Sequence, residues 1–138
     1  VNRYVTFTIG DGLYGVDVLR VQEALRAHAR TRVPLAPSGI AGLVNLRGQV
    51  VLTVDLRPRL GLAPLGQDAE PMMVVVQVDG EPVSLLVDEI GDVLDVPADQ
   101  VETPPETLDP ALRSLIVSAC TLDRRLLLVL DVDEAAAA

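Results

Sequence analysis

The sequence predicts a mostly β protein built from two similar halves, and three features carry that prediction. Of its 138 residues 49% are apolar, yet only Tyr4, Phe7 and Tyr14 are aromatic. The interior must therefore be aliphatic, and clustered valine and isoleucine favour strands. A strand, Asp-Gly turn, strand pattern occurs at 4–18 and again at 72–87, each copy followed by an apolar and acidic segment. Between the copies, residues 63–71 (Ala-Pro-Leu-Gly-Gln-Asp-Ala-Glu-Pro) form a turn-rich break. The length suits one domain. It divides into approximate subdomains 1–62 and 72–138 joined by the linker 63–71, with terminal strands free to cross between them.

Taken in order, residues 4–9 alternate, with Val5, Phe7 and Ile9 on one face and Tyr4, Thr6 and Thr8 on the other, the period of a half-buried strand. Gly10-Asp11-Gly12 supplies a tight turn, and 13–18 returns as the second strand. Residues 17–32 read two ways. Val18, Val21 and Leu25 fall at helical spacing after a capping Asp17, while Val18-Leu19-x-Val21 also fits a strand resuming after a kink. Periodicity leans to helix. Pro34 and Pro37 close this segment, and Ser38 is placed to cap one helical turn through Ile40, Ala41 and Gly42. Residues 50–56 alternate little and read as a strand buried on both faces, then 57–62 as a helical turn ended by Gly61. Residues 72–78 and 83–87 are strands around Asp79-Gly80. The acidic, proline-rich 95–110 is an exposed loop, with Asp109-Pro110 opening a short helix. Residues 116–121 and 126–130 are strands, and Asp131 to Glu134 has the spacing of a helix cap.

Charge is unevenly placed on a chain of net charge −9: residues 1–60 hold eight arginines against four acids, and 61–138 three arginines against sixteen acids. The split implies two faces with different partners and salt-sensitive docking, one half oriented against the other, or a solvated acidic surface. Nucleic acid is a poor partner for such a chain. No apolar run reaches the ~18 residues of a membrane span, and the single cysteine, Cys120, points to a reducing, cytosolic home.

Catalytic chemistry finds no foothold. His28 is the only histidine and reads as a surface residue, and Cys120 as a small buried hydrophobe. Asp88 and Glu89 are ordinary exposed carboxylates unless the fold brings them together. No nucleophile elbow, phosphate loop, cofactor motif or metal-ligand cluster appears, which leaves a binding module. Arg47, in the polar turn Asn45-Leu46-Arg47-Gly48 between two apolar runs, is the residue to explain. Either it pairs with a local carboxylate and holds the turn, or its planar fork anchors an interface, with Gly48 letting the chain turn tightly beneath it.

The run Ile40-Ala-Gly-Leu-Val-Asn-Leu-Arg-Gly-Gln-Val-Val-x-x-Val-Asp-Leu-Arg resembles the signature of the CheW-like chemotaxis adaptors. So do Tyr14-Gly-Val-Asp followed by Val21-Gln-Glu, and Val87-Asp-x-x-x-Asp-Val-Leu. The similarity runs from about Arg3 to Glu134. It implies two small five-stranded SH3-like β-barrels sharing a core with short connecting helices, and more strand in 17–32 than periodicity gives. It also implies a non-catalytic adaptor coupling chemoreceptors to a histidine kinase. One barrel would dock on the kinase's regulatory domain, and the receptor's cytoplasmic helical tip would lie in a groove near the arginine turn. Neither nucleic acid nor insertion into a membrane is implied. The location would be the cytoplasm, at membrane-associated receptor arrays.

By the same resemblance Arg47 is the central functional residue, and Glu23 pairs with it across the barrel. Val21, Gly42, Asn45, Gly48, Met72, Ser84 and Val93 fall at partner-binding positions, although Val93 reads more as packing than as contact. The chain departs from the family pattern at Leu52, often proline, at Ser84, often glycine, and near Val117-Ser118-Ala119. A hydroxyl at 84 facing the groove would narrow it. Two other readings stay open: the same domain within a histidine kinase or fused to a receiver, and a small-molecule sensor using the cleft between barrels. The chain begins with valine directly before its first strand, as a piece of a longer protein would.

Overall fold

The opening hairpin forms where the alternation places it. In the computed structural model, which describes residues 2–26, 40–65, 69–123 and 125–136, β1 (Asn2–Ile9) pairs antiparallel with β2 (Gly12–Asp17). Phe7 and Tyr14 face each other across the pair with ring centroids 6.3 Å apart. The strand is covered on both faces, however, for Tyr4 and Thr6 are as buried as Val5. The Thr6 hydroxyl donates to the Asp92 carbonyl at 2.5 Å.

Helical spacing fails after Asp17. Asp17 does cap, accepting from the Leu19 N–H at 2.9 Å, but it opens a single 3-10 turn, Val18–Arg20. The chain then runs as β3 (Val21–Arg26), in register with the strand that starts at Met72. Five backbone pairings to a buried neighbour outweigh a weak 3.6-residue pattern. The expected helical turn at 40–42 is also absent: Ile40, Ala41 and Gly42 begin β4 (Ile40–Leu46), paired with β5 (Gln49–Asp55). Ser38, Pro34, Pro37 and His28 lie outside the described residues. β5 is not buried along its whole length, since Val50 is 63% exposed and burial begins at Val51. At 57–62 the helical turn forms, Leu60 N–H donating to the Leu56 carbonyl at 3.0 Å, with Gly61 at φ +71°.

The second half holds β6 (Met72–Val78), β7 (Glu81–Val87), β8 (Glu89–Val96), the two-residue β9 (Val101–Glu102), β10 (Ile116–Thr121) and β11 (Leu126–Leu130). Two short helices complete it: α1 (Pro110–Arg113), capped by Asp109, and α2 (Val132–Ala136), where Asp131 accepts from the Glu134 N–H at 3.2 Å.

The strands form two sheets, ordered β8-β1-β2-β11-β10-β9 and β3-β6-β7-β5-β4. Each sheet draws strands from both sides of 63–71. The first joins β1 and β2 to β8 through β11, and the second joins β3, β4 and β5 to β6 and β7. Both β2–β11 and β5–β7 are parallel pairs.

Burial comes in three layers. One face of each sheet meets the other in a shared core that includes Phe7, Ile9, Val16, Leu128, Val74 and Leu85. The opposite face of the second sheet closes on a private cluster of Val44, Leu46, Val51, Met73, Val75 and Leu86, with Leu25 against it. The first sheet does the same around Tyr4, Val96, Cys120, Leu127 and Val129. All five strands of the second sheet reach one small cluster, its two edge strands included, so the sheet is strongly curled.

Candidate partner-binding site

The arginine turn is the two-residue loop Arg47-Gly48 joining β4 to β5, and both residues have positive φ, +54° and +83°. The Asn45 side-chain oxygen accepts from the Gly48 N–H at 2.9 Å and closes the loop. Two positive φ values are what a primed hairpin turn requires, and Asn-Gly or Asp-Gly meets that need best. The matching turn between β6 and β7 obeys the preference, with Asp79-Gly80 at +51° and +79°. At 47 a long side chain with a β-carbon clash occupies the same conformation, so local turn preference does not account for the arginine.

Its side chain is 75% exposed and forks onto Glu23 of β3, whose side chain is only 19% exposed. The Arg47 Nη1 donates to Glu23 Oε2, and Nη2 to Oε1 at 2.9 Å. The hydrogen bond and the charge of Glu23 raise the guanidinium's pKa. β3 is one edge of the second sheet, and β4 the other, so the ion pair joins the two ends of the curl. It leaves a fixed, solvent-facing guanidinium at the rim.

Beneath it, Gly42, Thr53, Ser84, Val75 and Glu23 stand in register across β4, β5, β7, β6 and β3. Thr53 and Ser84 are fully buried, and neither hydroxyl has a hydrogen-bond partner among the described residues. Ser84 therefore does not face an open groove, and the narrowing expected of a groove-facing hydroxyl at 84 does not arise. Gly42 is buried too, at φ +141° beside a β-bulge.

The remaining sequence-derived residues are dispersed. Val21 opens β3 half-buried against the shared core, and Met72 is half-buried opposite Arg26 and Val87, its sulfur accepting from the Ile90 N–H at 3.4 Å. Val93 belongs to the other sheet and is 53% exposed, so the packing reading is wrong: β8 is an edge strand and turns that side chain outward. Val50, directly opposite Asn45, was not singled out by sequence, yet it is the exposed apolar residue beside the arginine turn. An unbroken apolar run concealed which end of β5 projects from the core.

Other candidates resolve into structure. Cys120 is buried and burial pushes its thiol pKa up. Asp88 is spent on structure: Arg57 Nη2 donates to its two oxygens at 2.6 and 2.7 Å, and the Gly10 N–H donates to it at 2.8 Å. Among the described residues no group of three His, Cys, Asp or Glu side chains is placed to hold a metal, and no helix is long and apolar enough to cross a membrane.

Comparison with known proteins gives one answer. The family model for the CheW-like domain matches residues 3–138. The chemotaxis protein CheW of Klebsiella aerogenes is 30% identical over 132 residues, covering 96% of this chain and 80% of the relative. The probable chemotaxis protein CheW of Rhizobium etli is 30% identical over 129 residues, covering 94% and 83%. The crystal structure of the scaffolding protein TtCheW from Thermoanaerobacter tengcongensis superposes with a TM-score of 0.83 at 26% identity, covering 94% of this chain and 88% of that one.

Proposed function

The chain belongs to the CheW-like domain family, and from that premise we propose that it is a non-catalytic adaptor coupling chemoreceptors to a chemotaxis-type histidine kinase. Its partners are proteins. The finer reading is that the kinase's homologous regulatory domain docks on one of the two sheets, while the receptor's cytoplasmic helical tip lies against the arginine turn. The adaptor would work in the cytoplasm and be drawn to receptor arrays by these two contacts.

The observation that supports this best is Arg47 itself. A bidentate pair held in a left-handed turn residue, with three quarters of the side chain in solvent, is poor design for stability alone. It is good design for presenting a charge in a fixed direction. Exposed Val50 beside it supplies apolar contact area.

The charge pair gives the test. Arg47→Glu and Glu23→Arg each leave two like charges at the rim, and each is expected to weaken co-sedimentation with receptor membranes and kinase. Combining them restores an ion pair of opposite sense. Recovery of part of the loss is expected if the pair acts as a unit, and strictly additive damage would refute it.

A further inference from the structure

A depression of about 320 Å³ opens at the end of the first sheet, away from the arginine turn's own strands. Asp17 at the end of β2 and Asp131 just after β11 stand on its walls, with Tyr4 and Ser118 contributing hydroxyl-bearing side chains. Each aspartate spends one oxygen on a backbone N–H, that of Leu19 and that of Glu134. Among the described residues neither is salt-bridged. Arg20 also lines the depression, but its guanidinium is committed, donating to the Gln77 carbonyl at 2.9 Å and to Asp133 at 2.7 Å. The uncompensated charge of the site is therefore negative, which repels anions and favours a cation.

Its apolar margins are exposed as well. Val117, at the β10 bulge, is 57% exposed, and Leu19 is 87% exposed. Leu19 lines a second depression of about 300 Å³ that shares Asp17 with the first; Arg3 lines it too, but its guanidinium is paired with Asp95. A basic side chain with a hydrocarbon stem fits such a surface, its head between carboxylates and its stem and neighbours on valine and leucine.

We propose that this surface is an anchor site for one arginine or lysine side chain of a protein partner, set between apolar residues of that partner. It is separate from the Arg47–Glu23 rim and stands whether or not that rim binds a receptor.

The test uses the whole chain and the probe N-acetyl-leucyl-arginine amide, followed by amide chemical shifts. Saturable shifts at millimolar probe are expected at residues 17–19, 117–118 and 131. Asp17→Asn with Asp131→Asn keeps a side-chain oxygen for each backbone N–H while removing both charges, so the fold is preserved. That variant should bind about fivefold more weakly or worse, and added salt should weaken the parent in the same direction. The proposal is overturned if no saturable shift appears, if the shifts fall elsewhere, if the variant binds unchanged, or if the norleucine analogue of the probe binds equally well.

Discussion

Arg47 occupies a backbone position that asparagine would fill better, and this separates stability from function in one substitution. Arg47→Asn keeps the positive φ and removes the guanidinium. It should melt no lower than the parent, and up to about 4 °C higher, by thermal denaturation, while losing partner binding. Thr53 has no hydrogen-bond partner among the described residues in a fully buried site, so Thr53→Val should stabilise the protein by about 1 kcal/mol in a urea titration. Destabilisation would mean that the hydroxyl is satisfied after all. The arginine was legible in the sequence, because a single charged turn residue between apolar runs is conspicuous. Its pairing with Glu23 was available only through family resemblance, since nothing local brings β3 to the β4–β5 turn.

Among the elements, β6 shows most directly how this fold uses aliphatic residues. Val74 and Val76 enter the shared core while Met73 and Val75 enter the private cluster of the second sheet, all fully buried. Met73→Ala should cost about 2–5 kcal/mol by chemical denaturation. At the edge of the first sheet, Arg3 and Asp95 are opposite one another on β1 and β8, and Arg3 Nε donates to Asp95 at 2.7 Å. That hydrogen bond, with the charge behind it, holds the Asp95 carboxyl below its usual pKa. Its contribution is thus present above the ordinary carboxylate range and fades as pH falls through the depressed value. The stability difference between the parent and Asp95→Asn should be constant near neutral pH and shrink below about pH 4. Hairpins and caps were readable because their determinants are local: Gly10, Asp79-Gly80, Asp109 and Asp131 all act where expected. Periodicity alone misled at 21–26, where the resemblance implied strand, and the helical turn expected at 40–42 is absent, both for the opposite reason. Their strand state is set by pairing with β6 and β5, which no short window contains.

Over the whole molecule, the lopsided charge has a structural use. Arg3, Arg20, Arg26, Arg57 and Arg59 lie in the first half, and each faces an acid of the second: Asp95, Asp133, Glu70, Asp88 and Glu134. One half does orient against the other, and among the described arginines Arg47 is set apart by pairing within its own half. The repeated hairpin was visible in sequence, but which hairpins share a sheet was not, because a repeat reports local design and says nothing of partners. Since each sheet takes strands from both sides of 63–71, fragments 1–62 and 72–138 expressed separately should show no cooperative unfolding transition. In the proposed function this chain bridges two proteins through a surface organised by Arg47. The most direct measurement of that bridging is the amount of kinase that sediments with receptor-bearing membranes when the chain is added. Recruitment by the parent and little by the folded Arg47→Asn variant is expected, whereas equal recruitment by both would rule out a bridging role for Arg47.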